Sequence, residues 1–507
     1  MYNGPIVWLR LQFLTAIGLV AIGLWQLGSA KTGLTVTRGQ VGATPVTVFG
    51  PASGHPAPVI VIAHGFAGSQ QLMQPFAVTL ARNGYLAVTF DFPGHGRNPI
   101  GLPGGLADRD ARTRALSESL DAVAAFARAQ PGADGRLALL GHSMASDVVV
   151  RYAADHPEVA ATVAVSLFLS EDITADRPRN LLVVDGALEP AALRDEGYRV
   201  VGMAAGGRAE ENLTYGSFAE GTARRLVFAD GVEHIGVLYS RESLSAALDW
   251  MNAAFGRQGD GFLDARGPSL GLLYLGLIAL AWPLARLLPR VAAEPLGAGY
   301  GWRRLALLAI VPAVATPLLL WKFPGGWLPI LLGDYLALHF GVYGALTAAG
   351  MWLAGRSQPR IAYSRPKLAV AALATAAYVT FALGAPADRF VMSFLPRPER
   401  LPLVAAMLAG TLPYFAADEW LTRGSGAARG AYAATKVCFL ASLALAIALN
   451  LAQLFFLVII VPAILAFFIV YGLFSRWVYR RTNHPLVAGL ANAFAWAIAV
   501  TFPVVSR

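Results

Sequence analysis

Ser143 stands among small residues in Gly141-His142-Ser143-Met144-Ala145, directly after the apolar run Leu137–Leu140. A serine on a sharp turn from a strand into a helix exposes its hydroxyl, and small neighbours let strand and helix crowd around it. Such a hydroxyl can attack a carbonyl carbon if donors are waiting where the carbonyl oxygen becomes negative. Upstream, the run Val59–Ala63 ends in His64-Gly65-Phe66-Ala67-Gly68-Ser69, a glycine-rich turn able to aim backbone N–H groups at that oxygen. The N–H groups of Phe66 and Met144 are the expected oxyanion-hole pair.

Between these two turns lies Asp91-Phe92-Pro93-Gly94-His95-Gly96-Arg97. With this third piece the chain resembles the α/β-hydrolase superfamily, in its serine-aminopeptidase-like and monoglyceride-lipase-like branch. That branch carries an HG turn, a D-x-P-G-H-G-x-S stretch and a GHSMG elbow. Asn98 stands here where the branch usually has Ser, and Ala145 where it usually has Gly. The resemblance covers roughly residues 40–255. It implies a triad in the chain order serine, acid, histidine. After the run Leu181–Val184 comes Asp185-Gly186-Ala187-Leu188-Glu189, where Glu189 occupies the acid position of the family's G-x-x-D pattern and Asp185 is the alternative. Beyond the last strand candidate, Ala229-Asp230-Gly231-Val232-Glu233-His234 sets His234 in a loop before a helix. His234 is expected to take the Ser143 proton and return it to the leaving group, with the acid orienting its ring. His95 and His142 are expected to be structural.

The elements that must carry these residues are legible around them. Strand candidates are Val59–Ala63, Leu86–Phe90, Leu137–Leu140, Ala161–Phe168, Leu181–Val184 and Arg225–Ala229, with helical patterns such as Arg112–Ala129 and Ser243–Phe255 between. Short β-branched runs separated by helices imply a mostly parallel sheet with helices on both faces. The stretch between Phe168 and Leu181 is too short for the helical cap that many relatives insert there.

Composition divides the chain. It is 56% hydrophobic and 14% charged, well below the roughly 25% charged of soluble domains. Residues 31–256 hold 18 Lys/Arg against 23 Asp/Glu, whereas residues 257–507 hold 21 against 8. The basic excess is scattered between apolar segments rather than gathered on one face, which argues against nucleic-acid binding. The single Cys438 sits in an apolar run, excluding an intrachain disulfide and a cysteine metal site. The serine chemistry calls for no cofactor.

Apolar segments occur at 6–28, 268–288, 304–321, 327–354, 368–385, 401–420, 431–450, 452–475 and 485–504. Each approaches the length needed to cross ~30 Å of hydrocarbon as a helix. The expected organisation is an anchor at 1–30 (or a signal peptide), a hydrolase domain at 31–256 and a transmembrane domain of about eight helices at 257–507. Arg286, Arg290, Arg303 and Arg304 cluster in one loop, as do Arg356, Arg360, Arg365 and Lys367, then Arg423 and Arg429, then Arg476, Arg480 and Arg481. Basic loops face the cytoplasm. The expected setting is a multi-pass protein of the plasma membrane with its hydrolase domain on the periplasmic or extracellular side. Asp334, Tyr335 and His339 share one apolar segment and are membrane-side candidates, since ionisable groups in a span are costly. Asp418 and Glu419 are expected to be wetted near a cytoplasmic end. The expected activity is a membrane serine hydrolase cleaving an ester of a lipid or acylated amphiphile. An acyltransferase using the same acyl-serine, or a transporter with a regulatory hydrolase domain, are the alternatives.

Overall fold

The structure is a computed structural model that describes residues 4–105, 108–168, 173–258, 261–323, 325–355 and 361–501. Arg356 and Arg360 lie outside the described residues. The chain forms two compact units. One holds Ala21–Leu273 together with Asp388–Ser393; the other holds the chain up to Val20, Tyr274–Ala387 and the helices after Phe394.

The first unit is built on an eight-stranded sheet: β1 (Leu34–Val41), β2 (Thr44–Pro51), β3 (Ala57–Ala63), β4 (Leu86–Phe90), β5 (Ala133–His142), β6 (Val159–Val165), β7 (Leu181–Gly186) and β8 (Arg224–Ala229). Their spatial order is β1-β2-β4-β3-β5-β6-β7-β8. Strands β4, β3 and β5 to β8 run parallel, while β1 and β2 form an antiparallel hairpin at one edge. The central strands are unbroken apolar runs because both of their faces are covered. On one face, Phe76 and Leu80 of α2 (Gln74–Arg82) and Leu244 and Trp250 of α6 (Arg241–Phe255) pack against Ile60, Ile62, Leu140 and Val163. On the other, Val150 of α4 (Met144–Asp155) and Val200 of α5 (Ala191–Ala205) meet Ala164, Val183 and Leu226. Helix α3 (Arg109–Arg128) starts where the Asp108 carboxylate accepts the Ala111 N–H at 2.9 Å. Such a side-chain acceptor satisfies one of the orphan amides of a first turn.

Two features differ from expectation. The β1–β2 hairpin is additional to the six strand candidates. Strand β1 is exposed along nearly its whole length, and its alternation of apolar and polar residues is confined to Leu34-Thr35-Val36-Thr37, too short to mark it. Strand β6 ends at Val165 rather than running on to Phe168, because Ser166 turns the chain with φ +54°.

The second unit is helical. Its elements are α1 (Gly4–Ser29, shared with the first unit), α7 (Gly267–Ala285, likewise), α8 (Trp302–Leu320), α9 (Gly333–Leu353), α10 (Arg365–Ala377), α11 (Leu383–Phe390, whose last turn from Asp388 belongs to the first unit), α12 (Leu401–Thr422), α13 (Ala431–Leu449), α14 (Leu451–Thr482) and α15 (Pro485–Thr501). Helices α10 and α11 are joined through a π-turn at Tyr378–Ala382 into one apolar rod. Among the described residues, eight helices are long and apolar enough to cross a membrane. Helix α15, a ninth expected span, is shorter at 17 residues and buried almost all round. Helix α14 runs 32 residues, so Arg476, Arg480 and Arg481 belong to its last turns rather than to a loop. The expected break before it falls at Asn450, whose side chain accepts the Gln453 N–H at 3.4 Å.

Helices α9 and α12 approach closely at Gly344 and Gly410. A Cβ on Gly410 would strike the Ala337 carbonyl, and one on Gly344 the Tyr414 backbone. Small residues allow such contact where no hydrophobic effect drives helix pairing. Phe340, Tyr414, Phe439, Phe468 and Trp496 fill the centre, with ring centroids 4.6 Å apart for Tyr414–Phe439 and 4.8 Å for Phe468–Trp496. Asp418 and Glu419 are not wetted: both are buried, Asp418 paired with Lys436 and Glu419 with Arg423 at 3.1 Å. The cations come from the next helix and the next turn, a pairing invisible to a count of flanking apolar residues. Buried charge persists only when paired in this way.

Candidate active site

Ser143 lies between β5 and α4 with φ +54° and ψ −120°, a conformation that L-residues avoid unless the surroundings impose it. Its N–H donates to the Val165 carbonyl of β6 at 2.8 Å, which ties the turn to the neighbouring strand. Glycine at 141 is required because a Cβ there would meet the Ala145 carbonyl oxygen and carbon. The Ser146 hydroxyl then locks the first turn of α4, donating to the Ser143 carbonyl at 2.6 Å and accepting the Phe168 N–H at 2.9 Å.

The structure brings Ser143, His234 and Glu189 into line. Ser143 Oγ is 2.9 Å from His234 Nε2, and His234 Nδ1 is 3.2 Å from Glu189 Oε2. Both distances lie within or at the edge of hydrogen-bond range. His234 is held from behind: His142 Nε2 donates to its carbonyl at 3.0 Å. Burial, together with the nearby His234, lowers the His142 pKa to about 3, so that ring stays neutral.

Glu189 has a fully buried side chain. Burial opposes its ionisation, yet the bonds from His234, Ser166 and the Gly186 N–H outweigh that and hold its pKa below the ordinary value. Ser166 Oγ donates to Glu189 Oε1 at 2.5 Å and the Gly186 N–H to the same oxygen at 3.0 Å. Asp185 is directed elsewhere. Its Oδ1 accepts the Leu167 N–H at 2.8 Å, and burial pushes its pKa well above the ordinary carboxylate range. Asp185 thus faces a backbone amide, while Glu189 faces the His234 ring.

The glycine-rich turn sits against the elbow. Gly65 is so close that a Cβ on it would come within 2.9 Å of His142 Nδ1 and 3.0 Å of Ser143 Cβ. Gly68 N–H donates to the Gly65 carbonyl at 3.0 Å, leaving Phe66 and Ala67 at the tip. His64 braces the turn from below: its Nδ1 donates to the Gly65 carbonyl at 2.8 Å while its Nε2 accepts the Phe92 N–H at 3.1 Å. Burial lowers its pKa to about 4, which keeps that tautomer neutral. Met144 opens α4, where first-turn N–H groups lack intrahelical acceptors. Asp91 is buried and accepts the N–H groups of Gln70 at 2.7 Å and Arg97 at 3.0 Å. Asn98, in place of serine, donates to the Asp91 carbonyl at 2.9 Å and so keeps that turn closed.

Two supporting residues, Ser146 and Ser166, carry no sequence signal of their own. Ser146 is hidden in a helix, and Ser166 falls inside an apolar run that reads as a strand; only an earlier strand end would single it out. Asp334, Tyr335 and His339 belong to the helical unit. Asp334 accepts the Tyr335 N–H at 2.8 Å and the Gly326 N–H. Tyr335 Oη lies 3.2 Å from His339 Nδ1, and His339 Nε2 lies 3.1 Å from Ser442 Oγ on α13. Among the described residues, no group of three His, Cys, Asp or Glu side chains is placed to hold a metal ion.

Residues 54–183 match the family described as serine aminopeptidase, S33. That stretch includes Ser143 and the turn at 64–69 but stops before Glu189 and His234. No curated protein matches the chain. Similar solved structures include a putative dienelactone hydrolase from Klebsiella pneumoniae subsp. pneumoniae MGH 78578, 17% identical over 44% of this chain and 99% of that one, with a TM-score of 0.35. A predicted CIB-like hydrolase from Thermoplasma acidophilum is also 17% identical, over 44% of this chain and 99% of that one, with a TM-score of 0.34. A membrane phospholipase A, described as a bacterial virulence factor, is 15% identical over 48% of this chain and 93% of that one, with a TM-score of 0.32. Sheet order, elbow and family match agree: the chain carries an α/β-hydrolase fold, matched to the serine aminopeptidase family over residues 54–183, together with a region of long apolar helices.

Proposed function

We propose that Ser143, His234 and Glu189 act together as nucleophile, base and acid, and that the domain hydrolyses a carboxylic ester of a lipid or another acylated amphiphile. The observation that carries this reading is the continuous line from Ser143 Oγ through both ring nitrogens of His234 to the buried Glu189 carboxylate. Ser143 Oγ attacks the ester carbonyl carbon as its proton passes to His234 Nε2. Glu189 steadies the resulting imidazolium, and the N–H groups of Phe66 and Met144 receive the oxyanion. Collapse expels the alcohol, which takes the proton from Nε2. Water then repeats the sequence on the acyl-serine, releasing the acid and restoring the hydroxyl.

Two features support an amphiphilic substrate. Phe168, Leu188 and Ile235 follow β6, β7 and β8 at the end of the sheet that bears Ser143, and they are 56%, 65% and 45% exposed. Large apolar side chains left in water around a nucleophile suit an acyl chain better than a peptide. The eight long apolar helices suit a bilayer, where such substrates reside. The loop charges favour a position for this domain outside the plasma membrane. Purified protein is expected to release carboxylate from acyl esters and to lose that activity in Ser143→Ala; undiminished hydrolysis by Ser143→Ala would refute the reading. Protease cutting the hydrolase domain in permeabilised cells with an intact inner membrane checks the orientation.

A further inference from the structure

The hydrolase unit contains six residues that are remote from it in sequence, Asp388–Ser393. The chain leaves the helical unit after Ala387, spends this segment in the hydrolase unit and returns at Phe394. Its landing place is specific. Ser69, Gln71 and Gln74 lie immediately after the turn bearing Phe66, and all three are buried. The Ser393 N–H donates to Ser69 Oγ at 2.9 Å, and the Ser393 hydroxyl to Gln71 Oε1 at 3.2 Å. Gln71 Nε2 donates to the Asp388 carbonyl at 3.1 Å, and Gln74 Nε2 to the Arg389 carbonyl at 3.2 Å. The Asp388 carboxylate pairs with Arg97.

Both ends of the buried Gln71 amide are thus occupied by the segment. A buried amide without partners is costly, and here the segment supplies a partner to each end. The contacts also converge on a single piece of machinery. Arg97 and Gln70, next to Gln71, both donate backbone N–H groups to Asp91. The segment therefore grips both ends of the Asp91-centred knot on which the Phe66 turn rests.

We infer that Asp388–Ser393 is a strap that positions the oxyanion turn, with Asp388 and Ser393 as positioning residues for acyl transfer. This rests on the proposed acyl-enzyme. Displacing a donor by a fraction of an ångström weakens the transition state more than the ground state, so the effect belongs in kcat.

The test uses the full-length protein in detergent, with a short p-nitrophenyl ester as substrate and a fluorophosphonate as probe. Asp388→Ala/Ser393→Ala is expected to lower kcat and the rate of fluorophosphonate labelling by roughly 10-fold to 100-fold, with KM within about 2-fold. The charge swap Arg97→Asp/Asp388→Arg should recover part of the loss caused by Asp388→Arg alone. Gln71→Met removes two of the bonds from the receiving side and should reproduce the kcat effect if the strap variant folds poorly. Wild-type rates in both the strap variant and Gln71→Met would overturn the inference. Failure of the acyl-enzyme reading looks different: wild-type protein would not label, or Ser143→Ala would.

Discussion

Asp185 and Glu189 leave the same end of β7 in different directions: Glu189 Oε2 meets His234 Nδ1 at 3.2 Å, while Asp185 Oδ1 accepts the Leu167 N–H at 2.8 Å. The two carboxyls therefore have opposite expected effects on turnover. Glu189→Gln should lower kcat by about three to four orders of magnitude, because an amide can neither hold the Nδ1–H tautomer nor offset the imidazolium. Asp185→Asn keeps an oxygen for Leu167 and should stay within a few-fold of wild type. Steady-state hydrolysis of one ester by both variants separates them; the reverse pattern would move the acid to Asp185.

The same pair makes a prediction about stability and pH. Asp185 has a folded-state pKa raised by burial, so its favourable contribution is complete below the ordinary carboxylate pKa and is lost as pH rises toward the raised value. Glu189 is depressed, so its contribution is present above the ordinary value and is lost as pH falls. Asp185→Asn should accordingly raise Tm relative to wild type at pH 8 to 9, with the gain shrinking toward pH 5. Thermal unfolding in detergent across that range reads the difference, and a gain that grows toward acid would contradict the assignment.

Gly65 sets the glycine-rich turn so close to Ser143 and His142 that a methyl group does not fit between them. Gly65→Ala should push on Ser143 Cβ and His142 Nδ1, which lie 3.0 and 2.9 Å from the added carbon. Overpacking of this kind costs about 1–3 kcal/mol. Here part of it should appear as a fall of 10-fold or more in kcat with a modest drop in Tm. Unchanged kinetics would mean that the turn can retreat without consequence.

The exposed rim offers a specificity test. The combined Phe168→Ser, Leu188→Ser and Ile235→Ser variant should raise KM for a decanoyl ester by about 10-fold or more, since each Å² of apolar surface that the acyl chain no longer covers weakens binding by ~25 cal/mol. Acetyl ester hydrolysis should hardly change. Equal effects on both chain lengths would remove the rim from substrate binding.

The elbow and the parallel sheet are legible in the sequence because their signals are local. Gly141 and the runs at 59–63, 137–140 and 181–184 have to be what they are to pack around one serine. Glu189 is legible through the place it takes in the family's G-x-x-D pattern, with Asp185 as the alternative; that its carboxylate faces His234 depends on the course of the chain after Gly186, which the pattern does not describe. The hairpin Leu34–Pro51 leaves only brief traces, Leu34–Thr37 and Val46–Val48, too short to be told from loop, and its outer strand faces solvent. The pairing of Asp418 with Lys436 joins two successive helices and the grip of Ser393 on Gln71 joins residues 322 apart; neither has a sequence signature. Apolar length alone locates the helices well and their ends poorly, as the long α14 illustrates.

The central claim is that Ser143 is a nucleophile activated by His234. Full-length protein treated with a fluorescent fluorophosphonate should label at one site, with the adduct mapped to Ser143 by peptide mass analysis. Labelling should disappear in Ser143→Ala and slow by about three orders of magnitude or more in His234→Ala. Well-folded wild-type protein that takes no label, or label that persists in Ser143→Ala, would contradict the account.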